Sequence, residues 1–239
     1  MVRDIIYQIT VFGDFTSIQP NDETIQRMIT KFKDYGLLPS VFQEGIVTLS
    51  LDNLAPPKAI DRLQMVSLSK MISVLFARNQ IDISKAAIDP EVGVLNTHLR
   101  ELLDILGKAT EGFSFTRVGF NTTSLLDHPN AFLSKKIQPS LAFYDNPNEL
   151  MLRVNKRDNI TFCDDLSERS NIILTVQKTK GQLLINNNRI VIDNGLVLQF
   201  DINTIPEITE PRLFAEQTKA YVLSAEQIRQ TILTDLVSE

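Results

Sequence analysis

The chain has 239 residues, 43% of them apolar, and its 24 basic residues face 29 acidic ones for a net charge of −5. That apolar content supports a sizeable core and excludes gross disorder, while the acidic balance argues against a generic polyanion binder. The one cysteine, Cys163, excludes an intramolecular disulfide framework and a cysteine-rich zinc module. The opening MVRDIIYQITVFGDF contains neither a signal-peptide core nor a long apolar run, so the expectation is a cytoplasmic protein with no membrane span.

In chain order, Asp4 to Phe12 alternates as a half-buried strand, with Ile5, Tyr7, Ile9 and Val11 on one face. Asn21 caps a helix whose first turn carries Asp22 and Glu23 and whose stripe is Ile25, Met28, Ile29, Phe32 and Tyr35; Gly36 stops it. Ile46 to Leu51 reads as a strand closed by Ala55-Pro56-Pro57, and Arg62 to Ser69 and Met71 to Ala77 follow as adjacent strands, with Asn79 to Ser84 as a strand end or a third short strand. Asp89-Pro90-Glu91 opens a second helix with Val92, Leu95, Leu99, Leu102, Leu103 and Leu106 inward, ended by Gly107 or Gly112.

Strand character returns at FSFTRVGFN from Phe113, followed by a His128-Pro129-Asn130 turn, a short helix near Phe132 and an extended stretch from Ser140 to Tyr144. Leu150 to Val154, Asn159 to Cys163 and Asn171 to Lys178 read as three strands broken by Asn155-Lys156-Arg157 and by Asp164-Asp165. A last hairpin turns on a three-residue loop, Asp193-Asn194-Gly195, which aligns Ile190 and Ile192 with Leu196, Leu198 and Phe200. A short helix is expected from Pro211. A longer one starts at Ser224, whose spacing to Gln227 is a capping box, with Ile228, Ile232 and Leu236 inward.

This order predicts an α+β fold of largely antiparallel sheets with helices packed on one face. Two similar halves, 1–112 and 113–239, or one continuous domain, would both satisfy it, and no residue-level repeat links the halves.

The search for chemistry is mostly negative. No GxGxxG, P-loop, GxSxG or HExxH pattern occurs, and His98 and His128 lack metal-ligand spacing. Cys163 lies beside two aspartates rather than cations and is expected to be a buried, inert thiol. Asp164 and Asp165 are weak candidates for a divalent cation, with Asp52, Asp82 or Asp201 completing the set; the ordinary turn role fits them better. Lys135-Lys136 and Arg153, Lys156 and Arg157 are local basic clusters, but without a stacking ladder they read as solvated loops rather than nucleic-acid contacts. Arg78 and Arg117 interrupt apolar strands, so each needs a partner, either Asp82 or Asp201 as a counter-ion or an anionic ligand.

The RVGFN segment at 117–121, with the helix before it, the later LVLQFDI strand and the C-terminal helix, resembles a sporadically distributed family of uncharacterised bacterial proteins of similar length. The resemblance implies a bacterial origin and matches at Arg117, Gly119, Phe120 and Asn121; it brings no activity and no cofactor. The candidate ligand-binding residues are therefore Arg78, Arg117, Asn121 and Arg153. The expected function is a noncatalytic binding or assembly protein that associates with a protein partner or with itself, such as an accessory subunit of a bacterial defence system. A metal-dependent phosphoesterase or nuclease, and a sensor of an anionic small molecule or nucleotide, are the alternatives.

Overall fold

The computed structural model describes residues 2–46, 58–86, 97–127, 150–163, 166–185 and 188–237. The elements are β1 (Val2–Phe12), α1 (Asp22–Phe32), a 3-10 turn (Lys33–Tyr35), β2 (Leu38–Ile46), β3 (Lys58–Ser67), β4 (Ile72–Phe76), β5 (Gln80–Ala86) and α2 (Thr97–Ala109). They continue as β6 (Arg117–Asp127), β7 (Met151–Phe162), β8 (Leu166–Ile185), β9 (Asn188–Thr204) and α3 (Ala215–Val237). All nine strands belong to one antiparallel sheet in the order β2-β3-β4-β5-β1-β6-β9-β8-β7. The architecture is α+β, as the element pattern predicts. Because β1 lies between β5 and β6, the sheet runs without a break across residue 112.

The three described helices cover one face, burying Met28 and Phe32 of α1, Leu102 and Leu106 of α2 and Tyr221 and Val222 of α3 in one cluster with Tyr7, Ile9, Val11, Met65, Val74, Ile83 and Phe120 of the sheet. A second cluster under the end of α3 holds Leu126, Val176, Leu196, Leu198, Phe200 and Leu233. Local signals behave as expected at α1. The Asn21 side chain accepts from the Thr24 N–H at 2.9 Å, and Gly36 ends the helical stretch at φ 66°, a left-handed value that a side chain would resist.

Several boundaries differ from the sequence reading. β2 begins at Leu38, ahead of the expected strand at Ile46, because Pro39 is tolerated on an edge strand that need not donate there. The rest of that expected strand, the Asp89 helix start and the features from His128 to Tyr144 lie outside the described residues. Gly107 is interior to α2 because the Lys219 side chain crosses over it: an added Cβ would lie 2.8 Å from Lys219 Nζ. Asn155-Lys156-Arg157 does not break a strand; it sits in the middle of β7, whose solvent exposure suits polar residues in extended backbone. Asp193-Asn194-Gly195 is not a hairpin loop either. Both partners are strands of a longer hairpin: β9 pairs with β8 throughout, and the extra residue is absorbed as a register shift between Thr179 and Gly181. Ser224 is interior to α3, where its hydroxyl reaches the Thr161 carbonyl at 3.3 Å. The cap is instead Gln217, whose side chain accepts from the Phe214 N–H at 3.0 Å.

The strict alternation expected for β1 fails at one point, and that failure organises the core. The register shifts between Asp4 and Ile6, so Ile5 is a bulge residue and Asp4 joins Tyr7 on the helix-covered face, opposite Ser124. There Asp4 meets Arg229 of α3, which is fully buried; Nη1 donates to Asp4 Oδ1 at 2.9 Å and Nη2 to Oδ2 at 3.1 Å. The same guanidinium takes both oxygens of buried Glu226 at 2.7 and 2.8 Å, and its remaining contacts are Ser124 Oγ and Tyr7 Oη. Tyr7 and Ser124 in turn donate to Asp4. Burial pushes the Asp4 carboxyl upward, but the Arg229 charge and the hydrogen bonds from Arg229, Ser124 and Tyr7 outweigh it and hold the pKa below the ordinary value.

Breaking one partner of such a cluster is far more damaging than replacing all of it. We expect Arg229→Met to destabilise by about 3–5 kcal/mol in denaturant titration, and Asp4→Asn/Glu226→Gln/Arg229→Met to recover more than half of that loss. The depressed Asp4 pKa means that its contribution is complete above the unfolded value near 3.8 and disappears as pH falls through the folded one. Asp4→Asn is therefore less stable than the wild type at pH 7, and the gap between them narrows below about pH 4; a gap that stays constant to pH 2 contradicts this assignment.

Candidate interaction surfaces

The face of the sheet opposite the helices is built from the alternate residues of each strand, and its centre is polar. Asp82 of β5 accepts from Thr10 Oγ1 at 2.6 Å, Gln80 Nε2 at 2.6 Å and Gln8 Nε2 at 3.2 Å, so its carboxylate is already filled by neutral donors. Across β7, β8 and β9 a second relay runs from Arg157 Nε to Asn171 (3.0 Å), from Asn171 to Asn203 (3.3 Å) and from Asn203 to Asp201 (2.7 Å). Cross-strand neighbours are close enough for such ladders, which satisfy side chains that would otherwise need water.

The sequence candidates fall on this face or its rim without converging. Arg117 opens β6, donates through Nε to the Thr204 carbonyl at 3.4 Å, and stacks its guanidinium 4.5 Å from the centre of the Phe12 ring. Arg78 is not in a strand. It is exposed in the β4–β5 turn, where its backbone N–H lies 3.3 Å from Glu44 Oε2 and its charge helps, after the Thr16 hydrogen bonds, to lower the Asp14 pKa. Asn121 sits four residues into β6, opposite Gln8 and Asp201. Arg153 lies exposed on β7, three strands from β6, and by ordinary strand spacing and rise is roughly 24 Å from Arg117.

Neither expected counter-ion pairs with these arginines among the described residues: Asp82 is held by Gln8, Thr10 and Gln80, and Asp201 by Asn203. Asp82 and Asp201 are themselves three strands apart, roughly 16 Å, too far to share one cation. Asp52, Asp164 and Asp165 lie outside the described residues, and no group of three potential metal ligands occurs among those described.

The buried cations that sequence reasoning missed are Arg229, Arg62 and Lys85, the last paired through Nζ with Glu101 at 2.5 Å. Arg62 of β3 is almost fully buried and donates through Nε to Glu44 at 2.8 Å, while its Nη1 is buried with no hydrogen-bond partner. A signal existed for Arg229: it falls on the same helical face as Tyr221, Ala225 and Leu233, three residues after Glu226. Nothing comparable singles out Arg62.

The most exposed feature is β7. It stands at one end of the sheet and pairs only with β8, and its nine residues from Met151 to Asn159 are all exposed. Leu152 and Val154 point to the helix-covered side, yet α3 covers that side only farther along, at Ile160 and Phe162. Among the described residues no strand pairs with the outer edge of β7, where the backbone groups of alternate residues point. Leu150 O accepts from Lys178 N, which turns even-numbered groups toward β8; Asn159 N–H takes the Asp158 side chain and Thr161 O takes Ser224, which turns odd-numbered groups outward.

Cys163 contradicts the expectation of a buried thiol. It is exposed, in the turn between β7 and β8 at φ 46°, because the tight reversal points it away from the sheet. No described helix is long and apolar enough to cross a membrane. No protein-family model matches the chain, and no curated protein matches it.

An exposed thiol gives a direct check of this turn. Folded protein should react with one equivalent of Ellman's reagent at the rate of a model thiol within a factor of about ten; protection until denaturant is added would place Cys163 in the interior instead.

Proposed function

We propose that the protein is a noncatalytic assembly module that associates through the outer edge of its sheet. The observation that carries this reading is the long exposed strand β7, whose outer edge pairs with no other strand among the described residues and whose Met151, Leu152 and Val154 are open to solvent. Natural sheets blunt or cover such edges unless something pairs with them. Charged residues at Arg153, Lys156, Arg157 and Asp158 keep the free strand soluble without removing its capacity to pair. Among the described residues the carboxylates offer no competing centre: Asp82 is saturated by neutral donors and Asp201 is remote from it.

The strand order also supports two similar halves as a proposal. β1 and β6 are adjacent and antiparallel, and each is flanked by the last strand of the meander that follows it in the chain, β5 and β9, before a helix closes the unit. An accessory role in a bacterial defence system, consistent with the want of a catalytic set in the sequence, is a proposal on the same footing. A second functional reading, a sensor of an anionic small molecule, is favoured by the unpartnered Nη1 of Arg62; thermal shift against phosphate and nucleotides tests it, and stabilisation lost in Arg62→Lys supports it.

Asn155→Pro tests the main reading, because the N–H it deletes points outward and contributes nothing to the β8 ladder. Light scattering and affinity capture of wild-type protein should show association, with itself or another protein, that this variant loses by at least tenfold while its melting temperature stays within about 3 °C. A wild type that stays monomeric and captures nothing, or an association indifferent to Asn155→Pro, rules the reading out.

A further inference from the structure

Resting on the assembly reading, we infer that the partner at this edge is a second copy of the same chain, with β7 pairing antiparallel to β7 about a two-fold axis at Arg157. The argument comes from the order of side chains along the strand. On the helix-covered side β7 presents Leu152, Val154, Lys156, Asp158, Ile160 and Phe162. Laid antiparallel against itself with Arg157 opposite Arg157, that series is self-complementary: Leu152 faces Phe162, Val154 faces Ile160, and Lys156 faces Asp158, each twice by symmetry.

The backbone permits this register. Residues 153, 155, 157, 159 and 161 are those whose N–H and C=O point outward, and the same register places Arg153 opposite Thr161 and Asn155 opposite Asn159, so that outward groups meet outward groups. A two-fold axis perpendicular to the sheet keeps the helices of both copies on one side. The half-exposed Leu152 and Val154 of each copy then lie beside the Phe162 and Ile160 that α3 of the other covers.

Two interactions of the free chain are exchanged rather than lost. Lys156 Nζ lies 2.6 Å from Asp158 Oδ2 within one copy, and the same two charges pair across the axis in the dimer. The Asp158 side chain, which occupies the Asn159 N–H at 2.9 Å, releases that donor to the new ladder. The meeting of two Arg157 side chains on the opposite face is tolerable because each is already engaged by its own chain, through Asn171 at 3.0 Å and Glu207 at 3.4 Å. The two neighbouring registers are worse: an axis at Lys156 sets Lys156 against itself and Val154 against Asp158, and an axis at Asp158 sets Asp158 against itself and Lys156 against Ile160.

Charge reversal tests the register. Lys156 and Asp158 have side chains 71% and 49% exposed, so Lys156→Asp and Asp158→Lys should leave the fold and the melting temperature essentially unchanged. Wild-type protein at tens of micromolar should show twice the monomer mass by light scattering. Each single variant should dimerise at least tenfold more weakly, and an equimolar mixture of the two should restore a one-to-one heterodimer, because every reversed pair then meets its opposite. Self-association that neither reversal weakens, or that the mixture fails to restore, overturns the inference. So does a wild type that remains monomeric yet captures a different protein in a way that Asn155→Pro abolishes; in that case edge-mediated assembly stands and the homodimer falls. A monomer that captures nothing removes both.

Discussion

A guanidinium with no exposed surface sits at the junction of the first strand and the last helix, and much of the interior is arranged around keeping it satisfied. Arg229 needs hydrogen-bond acceptors on several sides, because an unpaired buried cation is among the most destabilising features a core can contain. Glu226 comes from the preceding turn of α3 at no topological cost, but a second carboxylate has to arrive from the sheet. The bulge at Ile5 supplies it by changing which side of β1 Asp4 occupies, and Tyr7 and Ser124 then orient the carboxylate from neighbouring positions. A regular strand would have sent Asp4 to the opposite face and left Arg229 with Glu226 alone.

What was legible in the sequence follows the strength of local signals. Asn21 and Gly36 bracketed the first helix correctly because capping and left-handed backbone are decided by one or two residues. The leucine stripe of α2 was equally plain, and Leu99, Leu102, Leu103 and Leu106 all line the core. Errors arose where a local preference was overruled by tertiary pairing. Asp193-Asn194-Gly195 has turn composition, yet β8 continues alongside it and the sheet absorbs the extra residue. Asn155-Lys156-Arg157 looks like a break only if every strand is assumed to have a buried side, which an edge strand does not. The division at Ser224 failed because a capping pattern can occur inside a helix, where the hydroxyl bonded Thr161 instead.

The candidate site was less legible for the same reason. Arginines were singled out because they interrupted apolar sequence, but Arg78 lies in a turn and Arg117 rests on an aromatic ring and a carbonyl, so neither required an ionic partner. Of the buried arginines, Arg62 lies in a segment of mixed composition where nothing local marks it, while Arg229 is marked only by its helical face and by Glu226 three residues before it. The partners from other elements are 18 residues away for Arg62 and 225 for Arg229, a separation across which periodicity carries no information. The polar face has the same character. Its side chains are paired to one another across strands, so the chemistry of each depends on a register that only the assembled sheet defines.

The position of β1 at the centre of the sheet has a consequence for how the chain is made. This strand is made before its two neighbours, β5 and β6, which emerge only some 70 and 110 residues later. During synthesis Tyr7, Ile9 and Val11 therefore wait as an unpaired apolar segment, and Asp4 waits for a counter-charge carried by the final helix. The loops closed by pairing β1 with β5 and β6 are long, so the central strand of the sheet carries a large share of the entropy that folding must overcome.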